Sequence, residues 1–409
     1  MAAIAIEPGA DAPASWTRRA IAVVALCFAI NMADGIDVTI LSFIAPRVQS
    51  DWQIGPDIMG RLFSAGLLGM AIGGMFIAPL ADRLGRRRVI LAALALMSAG
   101  MLASGWVSTV TQFFGLRVLV GMGIGTVLAA MAALAAESAP AAQRNFAVGL
   151  VQAGYPFAAV FTGLIVARVL PVYGWHVLLA IAGGITVLLF PLAWRFLSDQ
   201  VPEETGTEPA KGGVASLFAP EFRARTIALW GAVFFGLMVL YFIVSWIPKL
   251  SIQAGLSETN GIYAGALYNC GAFIGTLSMS LLAVRLPLSK VVPAMLVGAA
   301  AAMLWFGSVP MSVGFTMLTA FTIGVLLQGG YNGVWPLAAG SYPARTRATG
   351  VGWAIGIGRA GAIVGPWFGG QLMAAKVALP VLFAIYCLPL LACAGCAFMV
   401  QRVTNQSQK

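Results

Sequence analysis

Residues 81–88 read ADRLGRRR. One acid, one glycine and four arginines stand together between two predominantly apolar stretches, 59–81 and 88–108. Each stretch has the roughly 20 residues needed to cross the hydrocarbon core of a bilayer. A charged turn between two such stretches is a loop at one membrane face. Its arginines mark that face as the cytoplasmic one.

The pattern repeats along the whole chain. Of 409 residues, 60% are hydrophobic and only 9% charged, against roughly 25% charged in soluble domains. Twelve stretches are long and apolar enough to span: 20–45, 59–81, 88–108, 112–136, 145–168, 176–196, 225–248, 260–284, 290–309, 312–338, 347–374 and 378–400. Backbone groups in lipid must be satisfied internally, so these spans are expected to be helices. The alternation every second residue that a transmembrane barrel requires is missing. The expected fold is an all-α membrane protein of twelve transmembrane helices. Residues 1–19 and 402–409 read as cytoplasmic tails, and the first span is too long and too polar for a cleaved signal peptide.

The net charge of +10 does not point to nucleic acid. With the amino terminus inside, 17 of the 24 Lys and Arg fall in cytoplasmic segments, while five fall at outer ends and loops: Arg47, Arg61, Arg168, Lys249 and Lys376. Both termini are therefore expected in the cytoplasm. The five cysteines all lie in spans, where free Cys usually behaves as a small hydrophobe. His176 is the only histidine, which excludes a multi-histidine metal site. No metal or cofactor is expected. "GMGIGT" (121–126) lies in a span and lacks the lysine of a phosphate-binding loop.

The longest polar stretch, 198–224, is rich in Glu, Pro, Thr and Gly and reads as a cytoplasmic linker. It separates six spans (20–197) from six more (225–401). The halves resemble each other. ADRLGRRR (81–88) aligns with AVRLPLSK (283–290) at an offset of 202. AAESAPAAQRNFAVG (135–149) aligns with AAGSYPARTRATG (338–350), matching Pro140 to Pro343 and Arg144 to Arg347 at an offset of 203. Two six-helix halves in parallel repeat are a transporter architecture.

GGMFIAPLADRLGRRRVI (73–90) and RVLVGMGIGT (117–126) resemble the loop and helix-4 signatures of the major facilitator superfamily. DGIDVTILSFIAP (34–46) in helix 1 and RATGVGWAIGIGRAGAIVGPWFGG (347–370) in helix 11 resemble its aromatic acid:proton symporter family. That resemblance implies uptake of a benzoate- or hydroxybenzoate-like anion together with protons, by alternating access, at a site between the halves. With the topology it further implies a bacterial inner membrane; a monomer is expected, and no enzyme, since the sequence offers no nucleophile–base pair or metal cluster.

Ionisable groups inside spans are costly and usually functional. Asp34 and Asp37 are one helical turn apart and share a face. At ~1.5 Å per residue they stand ~21 and ~25 Å from the inner end of helix 1. Arg117, in a helix running the other way, reaches a similar depth to Asp37, so the two are expected to pair. Asp34 lies nearer the midplane, where desolvation penalises the ionised form. It is the better candidate proton carrier, with Asp37 as its companion. Gly35 between them permits close helix approach. Arg359 is expected near mid-membrane, and its guanidinium suits bidentate capture of a carboxylate. Its counterpart in the first half is Pro156, so this charge breaks the internal symmetry. Arg117, Tyr155, Tyr241, Tyr268, Asn269, Gln328, Asn332 and Trp335 are further candidates to line the substrate site. For each of these a plain packing role remains the alternative.

The resemblance also implies a cytoplasmic gate. Asp82, Arg83, Gly85, Arg86 and Arg87 would form it, with Asp82 at the amino-terminal end of helix 11 and Glu137 and Arg144 in the same network. Topology alone would also account for the arginines. Gly121/Gly125 and Gly361/Gly365 have the spacing of close helix contacts. Two rivals to aromatic acid uptake are a proton-driven exporter of drugs or metabolites and a symporter of a non-aromatic organic anion. Helix 5 reads GYPFAAVFTG (154–163), which departs from the Gly-Pro pattern of exporters. A membrane sensor would need an output domain, which the linker and tails do not offer.

Overall fold

The computed structural model describes residues 16–140, 143–197, 213–342 and 344–406. The tail up to residue 15, linker residues 198–212 and the last three residues lie outside these. Among the described residues every regular element is helical. The long helices are α1 (Arg18–Trp52), α2 (Pro56–Ile72), α3 (Arg86–Ala103) and α4 (Val110–Ser138). Arg144–Phe196 follows as one run of 53 residues. Such a run would extend ~80 Å, far more than one bilayer. It is broken at Gly174, whose φ of 76° is non-helical, giving α5 (144–173) and α6 (175–196). Then come α7 (Arg223–Gln253), α8 (Glu258–Arg285), α9 (Leu288–Ser308), α10 (Val313–Asn332), α11 (Ala344–Ala374) and α12 (Leu379–Gln406).

Hydroxyl caps start several of them. Thr17 accepts from the Ala20 amide at 3.1 Å, Thr109 from Gln112 at 3.3 Å and Ser257 from Asn260 at 3.3 Å. Two boundaries differ from the sequence expectation. α1 continues past Ala45 to Trp52, with Pro46 inside it, and ends on Gln53 in the left-handed conformation. Polar residues at the membrane surface need not end a helix, so hydropathy alone stops short. The expected linker is also partly folded. Gly213–Phe218 forms a short 3₁₀ helix, Leu217 is buried, and the Thr226 hydroxyl donates to the Leu217 carbonyl at 2.8 Å.

Among the described residues the chain divides into two compact units, one holding 16–54 and 61–197, the other 55–60 and 213–406. In the first, α1 packs along α5, α2 against α4, and α3 against α4 and α6. In the second, α7 packs on α11, α8 on α10, and α9 on α12. The three pairings 1–5, 2–4 and 3–6 thus recur as 7–11, 8–10 and 9–12.

Backbones meet closely where glycine removes the side chain. Without a hydrophobic drive between helices in lipid, such contacts carry association. Gly35 of α1 faces the Tyr155 carbonyl of α5, and a Cβ there would overlap it. Gly121 and Gly125 of α4 face the carbonyls of Gly66 and Met70. Gly361 and Gly365 of α11 face Phe234 and Met238 of α7.

Candidate functional site

In the first unit the opening acids of α1 lie deep inside. Asp34 is 6% exposed, Asp37 5% and Arg117 1%. Arg117 Nη1 donates to Asp37 Oδ1 at 2.7 Å, joining α4 to α1. A buried ion pair is not a cheap source of stability, since both charges lose their water. Serving the remaining donors reduces that cost, and this is done for Nη2 while Nε has no partner among the described residues. Here Arg117 Nη2 reaches Ser104 Oγ at 3.4 Å, and Ser104 in turn donates to the Gly100 carbonyl at 2.7 Å. The guanidinium also lies 5.4 Å from the Phe113 ring centre. Phe113 belongs to an aromatic group with Trp52 and Trp175, and the Trp175 indole donates to Asp51 at 3.0 Å. Arg117 is therefore placed as the partner of Asp37.

Asp34, one turn away, lies among Ile30, Met97, Ile124, Val127 and Leu128. One turn further, Asn31 donates to Gln152 of α5 at 2.9 Å. Ser104, Asn31 and Gln152 were not singled out in the sequence. Ser104 sits in the short turn Ser104–Trp106, and only the fold brings it to Arg117. Tyr155 is half-buried, beside the α1–α5 crossing.

The other candidates lie in the second unit. Arg359 of α11 and Tyr241 of α7 are half-buried, and both lie within electrostatic reach of Tyr331 on α10. Trp335 follows a break, since α10 stops at Asn332 and helix resumes at Val334. Its ring meets Tyr331 edge-on at 5.9 Å. Gln328 donates weakly to Asn332 at 3.4 Å, and Asn332 donates to Thr276 of α8 at 2.7 Å. These three form a polar chain across α8 and α10. Asn269 is only 3% exposed, and its amide donates to the Gly265 carbonyl one turn back at 2.9 Å. That bond serves its own helix. Tyr268 is fully buried.

At the basic turn, Gly85 has φ 89° and ψ 134°. A Cβ there would meet no neighbour, so glycine is required for the backbone conformation and not for space. Arg86 and Glu137 form an ion pair between the ends of α3 and α4. Arg87 donates to the Trp194 carbonyl at 2.9 Å and lies 5.0 Å from that indole's centre. Arg144 is half-buried at the start of α5. The side chains of Asp82 and Arg83 lie outside the described residues. His176 stacks on Trp175 at 3.5 Å. Among the described residues no three His, Cys, Asp or Glu side chains gather as metal ligands.

Comparison with known proteins places this geometry. Residues 27–339 match the family described as Major Facilitator Superfamily. The gallate transporter of Pseudomonas putida is 30% identical, with 95% of each chain covered. The 4-hydroxybenzoate transporter PcaK of Pseudomonas aeruginosa is 33% identical, with 86% of each covered. The 3-(3-hydroxy-phenyl)propionate transporter of Escherichia coli is 30% identical, covering 88% of this chain and 89% of that protein. The crystal structure of a D-xylose-proton symporter superposes with a TM-score of 0.75 at 14% identity, over 93% of this chain and 97% of that one. By family match, similarity along nearly its whole length and fold, the chain belongs to the major facilitator superfamily: it is a membrane transporter of small molecules and not an enzyme.

Proposed function

We propose that this transporter takes up a small aromatic carboxylate together with protons, by alternating access in a bacterial inner membrane. The observation that carries the proposal is the buried ion pair of Asp37 and Arg117 with Asp34 one turn away. Two acids and an arginine inside a span are costly and are retained where charge movement is the task. The aromatic acid transporters among its relatives supply the substrate class.

In this proposal Asp34 takes the proton. It is buried one turn from the Asp37–Arg117 pair, inside a span, where an ionisable group is costly and usually functional. Asp37 is fixed by Arg117 and acts beside it. Arg359 captures the substrate carboxylate, with Tyr241, Trp335, Gln328 and Asn332 offering stacking and hydrogen bonds. The Arg86–Glu137 pair belongs to a gate at the cytoplasmic ends of the helices, with both termini on that side. One chain is the working unit.

The test is uptake of radiolabelled 4-hydroxybenzoate by cells expressing the chain, with and without a protonophore, beside Asp34→Asn. Protonophore-sensitive uptake that the substitution abolishes is the expected result. Uptake indifferent to both the protonophore and the substitution would overturn proton coupling at Asp34.

A further inference from the structure

The second unit holds a buried hydroxyl that the proposed mechanism does not yet use. Tyr331 of α10 is 3% exposed, and its Oη has no hydrogen-bond partner among the described residues. Its ring is closely walled. Gly236 of α7 lies flat against it, so that a Cβ there would stand 2.6 Å from the ring edge, and Cys393 of α12 closes the same side. Cys393 itself is turned to the Ala232 carbonyl at 3.1 Å. Trp335 covers another side edge-on. Phenylalanine would fill these walls equally well and would leave no buried polar atom unserved, which is normally unfavourable.

Besides Cys393, the Arg359 guanidinium and the Tyr241 phenol share the electrostatic surroundings of this hydroxyl. Arg359 and Tyr241 are half-buried, as are Trp335 and Asn332. This buried hydroxyl thus shares its unit with half-buried residues that include a cation and an aromatic face. A benzene ring bearing a carboxylate at one end and a hydroxyl at the other has matching chemistry. Its carboxylate suits Arg359, its face suits Trp335, and its hydroxyl can both donate to and accept from a phenol.

We propose that Tyr331 is a specificity-determining residue that recognises a ring hydroxyl on the substrate, and so separates hydroxylated aromatic acids from benzoate. The proposal rests on the assignment of aromatic carboxylates as substrates and on Arg359 as their anchor. A site built to bond a hydroxyl discriminates strongly against the analogue that lacks it, because its own polar group is then left unpaired. A site that merely has room for a hydroxyl discriminates weakly.

The experiment compares initial uptake of radiolabelled 4-hydroxybenzoate and benzoate by the full-length wild-type chain and by Tyr331→Phe, normalised to the amount of each protein in the membrane. The wild type is expected to prefer 4-hydroxybenzoate. Tyr331→Phe is expected to lower that preference about tenfold or more, through KM for the hydroxylated acid, with benzoate uptake retained. Retained benzoate uptake also shows that the variant is folded. A second measurement uses purified protein: 4-hydroxybenzoate should raise the Tm of the wild type more than benzoate does, and equally with benzoate in Tyr331→Phe. An unchanged preference, or equal loss of both acids with unchanged relative Tm shifts, overturns the role of Tyr331 alone. Uptake of neither acid by the wild type overturns the substrate assignment and this proposal together.

Discussion

The crossing of α2 with α4 and that of α8 with α10 occupy equivalent places in the two halves, yet they are finished differently. Gly69, Gly73 and Gly121 have counterparts Gly271, Gly275 and Gly324 at offsets of 202, 202 and 203. All six bring a backbone against a neighbouring helix, so this part of the crossing is common to both. One turn on, the halves part. In the first half Gly74 lies against the Gly125 carbonyl and Gly125 against that of Met70. Their counterparts are Thr276 and Gln328, which belong to the polar chain through Asn332. The first half closes this crossing with glycine and keeps its charge in the sealed pair of Asp37 and Arg117. The second half leaves half-buried polar side chains at the same level. The shared glycines are scaffold, and the differences are where function is to be sought.

Five substitutions, one of them used in combination, test that contrast and the ion pairs around it. The largest effect is expected at the sealed pair. Arg117→Ala strands a buried Asp37 carboxylate and should cost about 3–5 kcal/mol, read as a loss of Tm and of membrane yield. Adding Asp37→Asn to it should restore much of that loss. If the double variant is as unstable as the single one, the pair is not the sealed unit described. Next comes Gly125→Gln, which writes the second half's residue into the first. A side chain there runs into the Met70 backbone, and overpacking of this kind should cost about 1–3 kcal/mol. A neutral outcome by denaturation in detergent would mean that the glycine crossing has slack.

A smaller effect is expected for Thr276→Val. It removes one interhelical hydrogen bond, worth on average about 0.6 kcal/mol inside a membrane. Uptake should fall more than stability does, because Asn332 loses its orienting partner. Equal small losses of both would make the polar chain simple packing. The smallest effect on stability is expected for Glu137→Gln. Its side chain is 56% exposed where it meets Arg86, and exposed pairs are worth about 0–1 kcal/mol. Its Tm should therefore differ from wild type by little, and that difference should shrink further in high salt.

Much of the fold was legible because a bilayer imposes a strong rule on composition. Span positions, the duplication and the charged turn at 81–88 all follow from where polar residues can stand. The depth argument for Asp37 and Arg117 succeeded because two antiparallel helices fix relative height by counting residues. What counting does not give is azimuth, the direction each side chain takes around its helix. Asn269, for example, turns its amide back to the Gly265 carbonyl of its own helix, which its place in the sequence does not reveal. Tyr331 went unremarked because nothing in "QGGYNGVW" (328–335) distinguishes a tyrosine in a belt from one in a closed pocket. Ser104 is legible only once the turn after α3 is seen beside α4. The end of α1 was set too early because hydropathy locates the membrane boundary, and the helix passes beyond it.

The junction at Gly174 bears on how the protein is made. α5 and α6 are separated by a single non-helical residue, so no polar segment between them could be held outside while one waits for the other. Two spans joined this tightly are expected to enter the bilayer together. A reporter or protease site placed between residues 173 and 175 would disturb insertion itself, whereas the same insertion in the polar stretch joining the halves should be tolerated.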